Sequence, residues 1–206
     1  MLKKKVCILD YGSGNTNSVK NIITYLKYDV IVSNQEVDIL KCTHLLLPGV
    51  GAFGASMDRI KNRIPLKILE SEVIKYEKPF LGICVGMHIL ADVGFEFGKK
   101  GGLGWISGKV EKLDSNGLPL PHVGWNDVRA KKESELVTGL NKNNDFYFVN
   151  SYAFKADNSE NVVAETEYGS WFTSIIQKDN IFGVQFHPEK SQKAGQLLLK
   201  NFLCLT

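Results

Sequence analysis

Cys84, His187 and Glu189 are the residues of this chain whose types and surroundings suit nucleophilic chemistry. Cys84 stands in Pro79-Phe-Leu-Gly-Ile-Cys84-Val-Gly86-Met-His88, and the other two in Phe186-His187-Pro188-Glu189. An apolar run delivers Cys84, and Gly86 and a helix-like segment follow at once. That pattern holds a nucleophile on a sharp strand-to-helix turn, with its sulfur presented and backbone N–H groups behind it. A thiol is mostly protonated at neutral pH and needs a neighbouring base. His187 supplies a base, and Glu189, beyond Pro188, a carboxylate to orient the imidazole. Each residue alone has a plain structural reading, since buried free cysteine and structural histidine are both common.

The elements that position them alternate in the first half of the chain. Residues 6–9, 30–32, 45–47 and 80–83 are short apolar runs that predict strands. Val19, Ile22, Ile23 and Leu26 fall at helical spacing, with Asn15 or Asn17 placed to cap that helix. Met57, Ile60, Ile64, Ile68 and Ile74 predict helical segments broken at Pro65, and Met87, Leu90 and Ala91 begin a helix after Cys84. Fully apolar strands alternating with helices predict an α/β fold with a doubly wound, mostly parallel sheet covered on both faces. From about residue 105 the rhythm changes to short strands, at 108–113, 146–149, 162–165 and 172–177, with turns at Asn116-Gly117 and Asp179-Asn180. Residues 181–185 return to the core and carry His187, and a last helix covers about 193–203. The whole, 1–206, reads as one domain with a strand-rich insertion at about 105–180. Loops at the carboxyl ends of such strands meet on one edge. Those are 10–14, 48–54, 84–86 and 187–189.

Composition narrows the function classes. The 206 residues are 44% hydrophobic and 23% charged, ordinary for a soluble globular protein. No run of about 18 apolar residues exists, which argues against a membrane-spanning helix. Residues 6–9 are too short for a signal-peptide core. Cys7, Cys42, Cys84 and Cys204 lie far apart without zinc-ligand spacing, so neither a metal nor a cofactor is expected, and a cytoplasmic location is. The net charge of +3 comes from scattered lysines without an aromatic-basic stripe, so nucleic-acid binding is not expected.

Two further segments invite a functional reading beside a plain one. Pro48-Gly49-Val50-Gly51 is either a simple turn or a source of backbone N–H groups opposite Cys84, with Val85 N–H as the second oxyanion donor. It lacks the lysine of a phosphate-binding loop. Trp125, in His122-Val-Gly-Trp125-Asn126, is either core or an aromatic anchor of an interface.

Six segments in order carry a resemblance over nearly the whole chain. They are Asp10-Tyr-Gly-Ser-Gly14-Asn15, Leu47-Pro-Gly-Val-Gly-Ala-Phe53, Gly82-Ile-Cys84-Val-Gly-Met87, His122-Val-Gly-Trp-Asn126, Phe148-Val-Asn-Ser-Tyr152 and Gly183-Val-Gln-Phe-His-Pro-Glu-Lys-Ser191. The chain resembles the class I (triad) glutamine amidotransferases, and among them the glutaminase subunits of imidazole glycerol phosphate synthase. The resemblance implies hydrolysis of L-glutamine by Cys84, His187 and Glu189. It also implies an oxyanion loop at Gly49, Val50 and Gly51 that reorients for activity, and ammonia transfer to a (β/α)8-barrel synthase subunit in a heterodimer. Asn15, Trp125 and Asn126 would then lie toward that partner, and Val85 and His88 beside the substrate.

The chain departs from the family pattern at His88, where the family usually has Gln, and at Asn150, where it usually has His. An imidazole does not reproduce an amide's donor and acceptor geometry. Three alternatives stay open beside the histidine-pathway subunit. One is a paralogous subunit feeding amidination of a surface-polysaccharide sugar. The others are another cysteine hydrolase and a non-catalytic interaction module.

Overall fold

The structure, a computed structural model, describes residues 4–140 and 145–205. In the first half, β1 (Lys5–Leu9), α1 (Thr16–Tyr25), β2 (Asp29–Ser33), α2 (Glu36–Lys41) and β3 (His44–Gly49) alternate as their hydrophobic spacing predicts. They continue into α3 (Phe53–Arg63), α4 (Leu66–Glu70), β4 (Phe80–Cys84) and α5 (Val85–His88). Pro65 sits just before α4, where a missing N–H costs nothing, and it resets the helical phase. Leu69 and Val73 are therefore the buried positions beyond it, while Ile74 is exposed.

The strand-rich half comprises β5 (Val93–Gly94), β6 (Lys100–Gly101), β7 (Gly108–Lys112), β8 (His122–Asp127), β9 (Arg129–Ala130) and β10 (Asp145–Asn150). After them come β11 (Tyr152–Ala156), β12 (Val162–Tyr168), β13 (Ser170–Lys178), β14 (Ile181–Val184) and α6 (Gln192–Cys204). The main sheet has the order β2-β1-β3-β4-β14-β13-β12-β9. Its pairs from β2 to β14 are parallel and those from β14 to β9 antiparallel. The strand-rich stretch is thus divided. β12 and β13 extend the main sheet, β8 and β10 form a separate antiparallel ribbon, and β11-β7-β5-β6 form a small second sheet.

β3, β4 and β14 are buried along their full length, the signature of strands covered on both faces. Among the described residues no helix is long and apolar enough to cross a membrane.

One expected element is shorter than its sequence suggests. The helix after Cys84 stops at His88, although Met87, Leu90 and Ala91 are all buried. The carbonyls that would carry it further are taken by a distant loop. Leu103 N–H donates to Ile89 O at 2.8 Å, Ile106 to Leu90 at 3.1 Å, Gly104 to Ala91 at 3.0 Å and Gly102 to Asp92 at 2.9 Å. With those acceptors satisfied from outside, continuing the helix gains no hydrogen bonds.

Candidate active site

The parallel register brings the suspect loops together. Gly49 at the end of β3 lies opposite Cys84 at the end of β4, and Ile83 lies opposite Val184 of β14, three residues before His187. Cys84 has φ 55° and ψ −112°, a backbone conformation that costs a residue with a side chain roughly 1–3 kcal/mol. Close packing holds it there. A Cβ on Gly86 would lie 1.8 Å from Leu47 O, and one on Gly49 would lie 2.7 Å from Gly86 N. Only glycines let the turn press against β3 this tightly.

His187 is fixed by β10 and by its own turn. Its N–H donates to Tyr147 O at 2.8 Å, and its carbonyl accepts from Ser191 Oγ at 2.6 Å. The ring Nδ1 is 2.9 Å from Glu189 Oε1, and the Glu189 side chain is almost wholly buried. Burial alone would push His187 down, but hydrogen bonding to Cys84 and Glu189 and their charges outweigh it and raise it to about 10. The imidazole therefore carries its proton at neutral pH, beside the sulfur of Cys84.

Asn15 takes a different place from the one its position suggests. It stands at the N-cap of α1 without making a capping bond, and its Nδ2 reaches Glu189 Oε1 at 3.4 Å. It thus braces the carboxylate from behind. In the oxyanion segment, Ser13 Oγ donates to Val50 O at 2.9 Å, which ties the 48–51 loop to the one after β1.

A cavity of about 360 Å³ opens over Cys84 and His187. Val50, Gly51, Val85, His88, Asn150 and Tyr152 are among its walls. Its size suits one small polar substrate. A larger depression of about 780 Å³ over residues 130–138 contains no comparable chemistry.

His88, expected beside the substrate, is buried in the cavity wall with its Nε2 2.7 Å from Gln185 Oε1. Desolvation lowers it to about 4, so the ring is neutral. Gln185 escaped notice in the sequence, although a polar residue closing the apolar run 181–184 just before Phe186 and His187 is a legible signal. Its Nε2 points at Cys84 Sγ, 3.9 Å away. Asn150 is also buried. Its Nδ2 donates to Tyr152 O at 3.2 Å, and its Oδ1 has no protein partner.

Trp125 is 48% exposed and meets Tyr147 edge-on at 5.9 Å. Together with exposed Val123 and Val149 it makes an apolar strip along the β8–β10 ribbon, and Val149 continues it to the cavity mouth. Asn126 instead turns inward, donating to Glu167 O at 2.9 Å and so joining the ribbon to β12.

A buried acid–base pair beside a strained cysteine, over a cavity at the carboxyl edge of a doubly wound sheet, is an arrangement suited to nucleophilic hydrolysis. The family model described as glutamine amidotransferase class-I matches residues 7–205, and the chain belongs to that family. It is 44% identical over 199 residues to the imidazole glycerol phosphate synthase subunit HisH 2 of Methanococcus maripaludis, covering 96% of this chain and 98% of that protein. The HisH subunit of Leptospira interrogans is 42% identical over 202 residues, covering 96% and 98%. Among solved structures, a glutamine amidotransferase matches with TM-score 0.74 at 18% identity over 96% of each chain. PurLQS from Thermotoga maritima matches with TM-score 0.74 at 16% identity over 98% of each. These two likenesses establish the fold.

Proposed function

We propose that this protein is the glutaminase subunit of an imidazole glycerol phosphate synthase, with Cys84, His187 and Glu189 as its catalytic triad. The observation that carries the reading is the pairing of strained Cys84 with the buried His187–Glu189 couple at the wall of a cavity sized for glutamine. The Cys84 thiolate attacks the carboxamide carbon, and the carbonyl π electrons move to oxygen, where Val85 N–H and the 49–51 segment supply donors. When the C–N bond breaks, His187 gives its proton to the departing nitrogen and ammonia leaves a glutamyl thioester. His187 then takes a proton from water as it attacks the thioester, releasing glutamate and regenerating the protonated imidazole beside the thiolate. Glu189, braced by Asn15, holds the ring through both steps.

Ammonia is neutral and small, and escapes into solvent unless the cavity is covered. The Val123, Trp125 and Val149 strip beside the mouth suits a partner that closes it. In this reading the partner is a (β/α)8-barrel synthase, bound as a heterodimer, which uses the ammonia to form imidazole glycerol phosphate and the aminoimidazole carboxamide ribotide. The free thiols of Cys7, Cys42, Cys84 and Cys204 suit a reducing compartment such as the cytoplasm.

A second acceptor stays beside the first. His88 and Asn150, the two positions at which the chain departs from what its resemblance leads one to expect, both line the cavity wall. A paralogous pair that amidinates a surface-polysaccharide sugar would use the same glutaminase chemistry. Purifying the native complex and assaying its glutamine-dependent product decides between them. Imidazole glycerol phosphate supports the first reading, and an amidinated sugar replaces it with the second.

A further inference from the structure

We propose that His88 and Gln185 form a positioning pair that aims an amide N–H at the Cys84 sulfur, so that His88 acts on the nucleophile rather than on the substrate. The inference rests on the reading of Cys84 as the nucleophile and assigns the residue pair behind it.

Gln185 is fully buried, and its backbone N–H is held by Ser174 O of β13 at 2.9 Å, so the side chain starts from a pinned backbone just after β14. Either end of a carboxamide fills the same space, and partners decide which end points where. His88 Nε2 lies 2.7 Å from Gln185 Oε1, and the neutral ring in its Nε2–H tautomer donates there. That leaves the amide nitrogen directed at Cys84 Sγ, 3.9 Å away. Reversing the amide would set its oxygen against the sulfur and repel a thiolate.

The other side of the sulfur explains why such a donor matters. Val149 O lies 4.0 Å from Cys84 Sγ and can accept only from a thiol S–H. That carbonyl offers the sulfur only an acceptor, while Gln185 offers it a donor N–H, the contact an attacking sulfur can use. His88 ends α5, the helix that starts right after the nucleophile, and its imidazole reaches Gln185 from there. A glutamine at position 88 can also donate an N–H to Gln185 Oε1, whereas an apolar residue of similar size cannot.

The test measures the rate of Cys84 alkylation by iodoacetamide, followed by mass spectrometry of the Cys84 peptide, and glutamine turnover in the natively purified complex. His88→Leu is expected to slow alkylation and lower kcat by about tenfold, the loss of one hydrogen bond, with KM within about twofold. Gln185→Met, similar in volume but without an N–H, should reproduce both losses, and the double variant should be no worse than Gln185→Met. His88→Gln should restore both rates to within about threefold of wild type.

A change confined to KM in His88→Leu would put His88 on the substrate and overturn the pair, as would additive losses in the double variant. If both single variants fail to fold, the two residues are core packing and the proposal falls. Cys84→Ser separates the inference from its foundation. A silent Cys84→Ser beside a normal His88→Leu sinks only the pair, whereas an active Cys84→Ser removes the nucleophile itself.

Discussion

Replacing Glu189 by Gln removes one negative charge from the centre of the site while keeping its shape. The amide oxygen can occupy the place of Oε1, 2.9 Å from His187 Nδ1 and within reach of Asn15 Nδ2. The amide nitrogen then takes the place of Oε2, which is buried without a partner among the described residues. A hydrogen bond to a charged group is worth roughly 1.5–3 kcal/mol, so the ring's charged form loses about that much support. If the loss falls on the transition state, kcat drops about 10- to 150-fold. The loss rises toward ~10⁴-fold if the amide turns its N–H toward the ring and fixes the wrong tautomer, as an amide in place of an orienting carboxylate can.

The same substitution has a signature in stability. His187 is raised from 6.5 to about 10, through Cys84 and Glu189 acting against burial. A raised base holds its proton more tightly in the folded state. Its stabilisation is therefore complete below pH 6.5 and is lost as pH rises through about 10. Glu189→Gln removes one cause of the raised value and leaves Cys84 in place. The gap in unfolding free energy between wild type and variant should be widest near pH 6.5 and narrow toward pH 10. Urea unfolding across that window, with glutamate release from the native complex, provides the measurement. A gap that stays flat with pH, together with a kcat within about threefold of wild type, would refute the coupling of Glu189 to His187.

Cys84→Ser should reduce glutamine-dependent synthesis in the complex below about 1% while added ammonium still supports it, since the thioester carbon needs a sulfur nucleophile. Retained glutamate release would point to another nucleophile. Trp125→Ala should weaken partner binding by about 30-fold in calorimetric titration, because a central aromatic anchor contributes about 2 kcal/mol. Its half-exposed ring should leave the melting temperature within about 3 °C, and the opposite pattern would assign Trp125 to the core. Gly86→Ala forces a methyl to 1.8 Å from Leu47 O and should cost about 3 kcal/mol in urea unfolding. An unchanged midpoint would show that the turn relaxes freely around the added methyl.

Much of the frame was legible because burial on both faces leaves a plain mark. The runs at 6–9, 45–47 and 80–83 are apolar at every position, and each lies inside an observed buried strand. The turns at Asn116-Gly117 and Asp179 were equally open to reading, for all three residues adopt the positive φ that their types tolerate. β8 was not anticipated as a strand. Its alternation sets His122 between Phe148 and Tyr168 while Val123 and Trp125 face outward, so both of its large apolar residues are on the exposed side. A strand that turns its apolar residues outward and a histidine inward inverts the contrast that marks a half-buried strand. The short α5 was hidden for a different reason. Its end is set by N–H groups of residues 102–106 reaching back to carbonyls at 89–92, a competition that no local propensity records.

The site divides along the same line between local and long-range causes. Cys84, His187 and Glu189 were legible because each is announced by its neighbours: the apolar run and Gly86 around the cysteine, and Pro188 between the other two. Asn15, Gln185 and His88 act through partners about a hundred or more positions away, so their spacing in the chain carries no message. Asn15 stands at a helix cap and reaches the carboxylate, while His88 lines the cavity and also meets the Gln185 amide. Both gain these roles because parallel strands bring the ends of β1, β4 and β14 to one edge, where a loop residue of one strand meets the turn of another. That edge also explains why the strain at Cys84 persists. The turn is clamped by β3 through Gly49 and Gly86, faced by β10 through Val149, and backed by the residue after β14, Gln185. Relaxing φ at Cys84 would break contacts to three strands at once, so the conformation is held by the sheet and not by the turn alone.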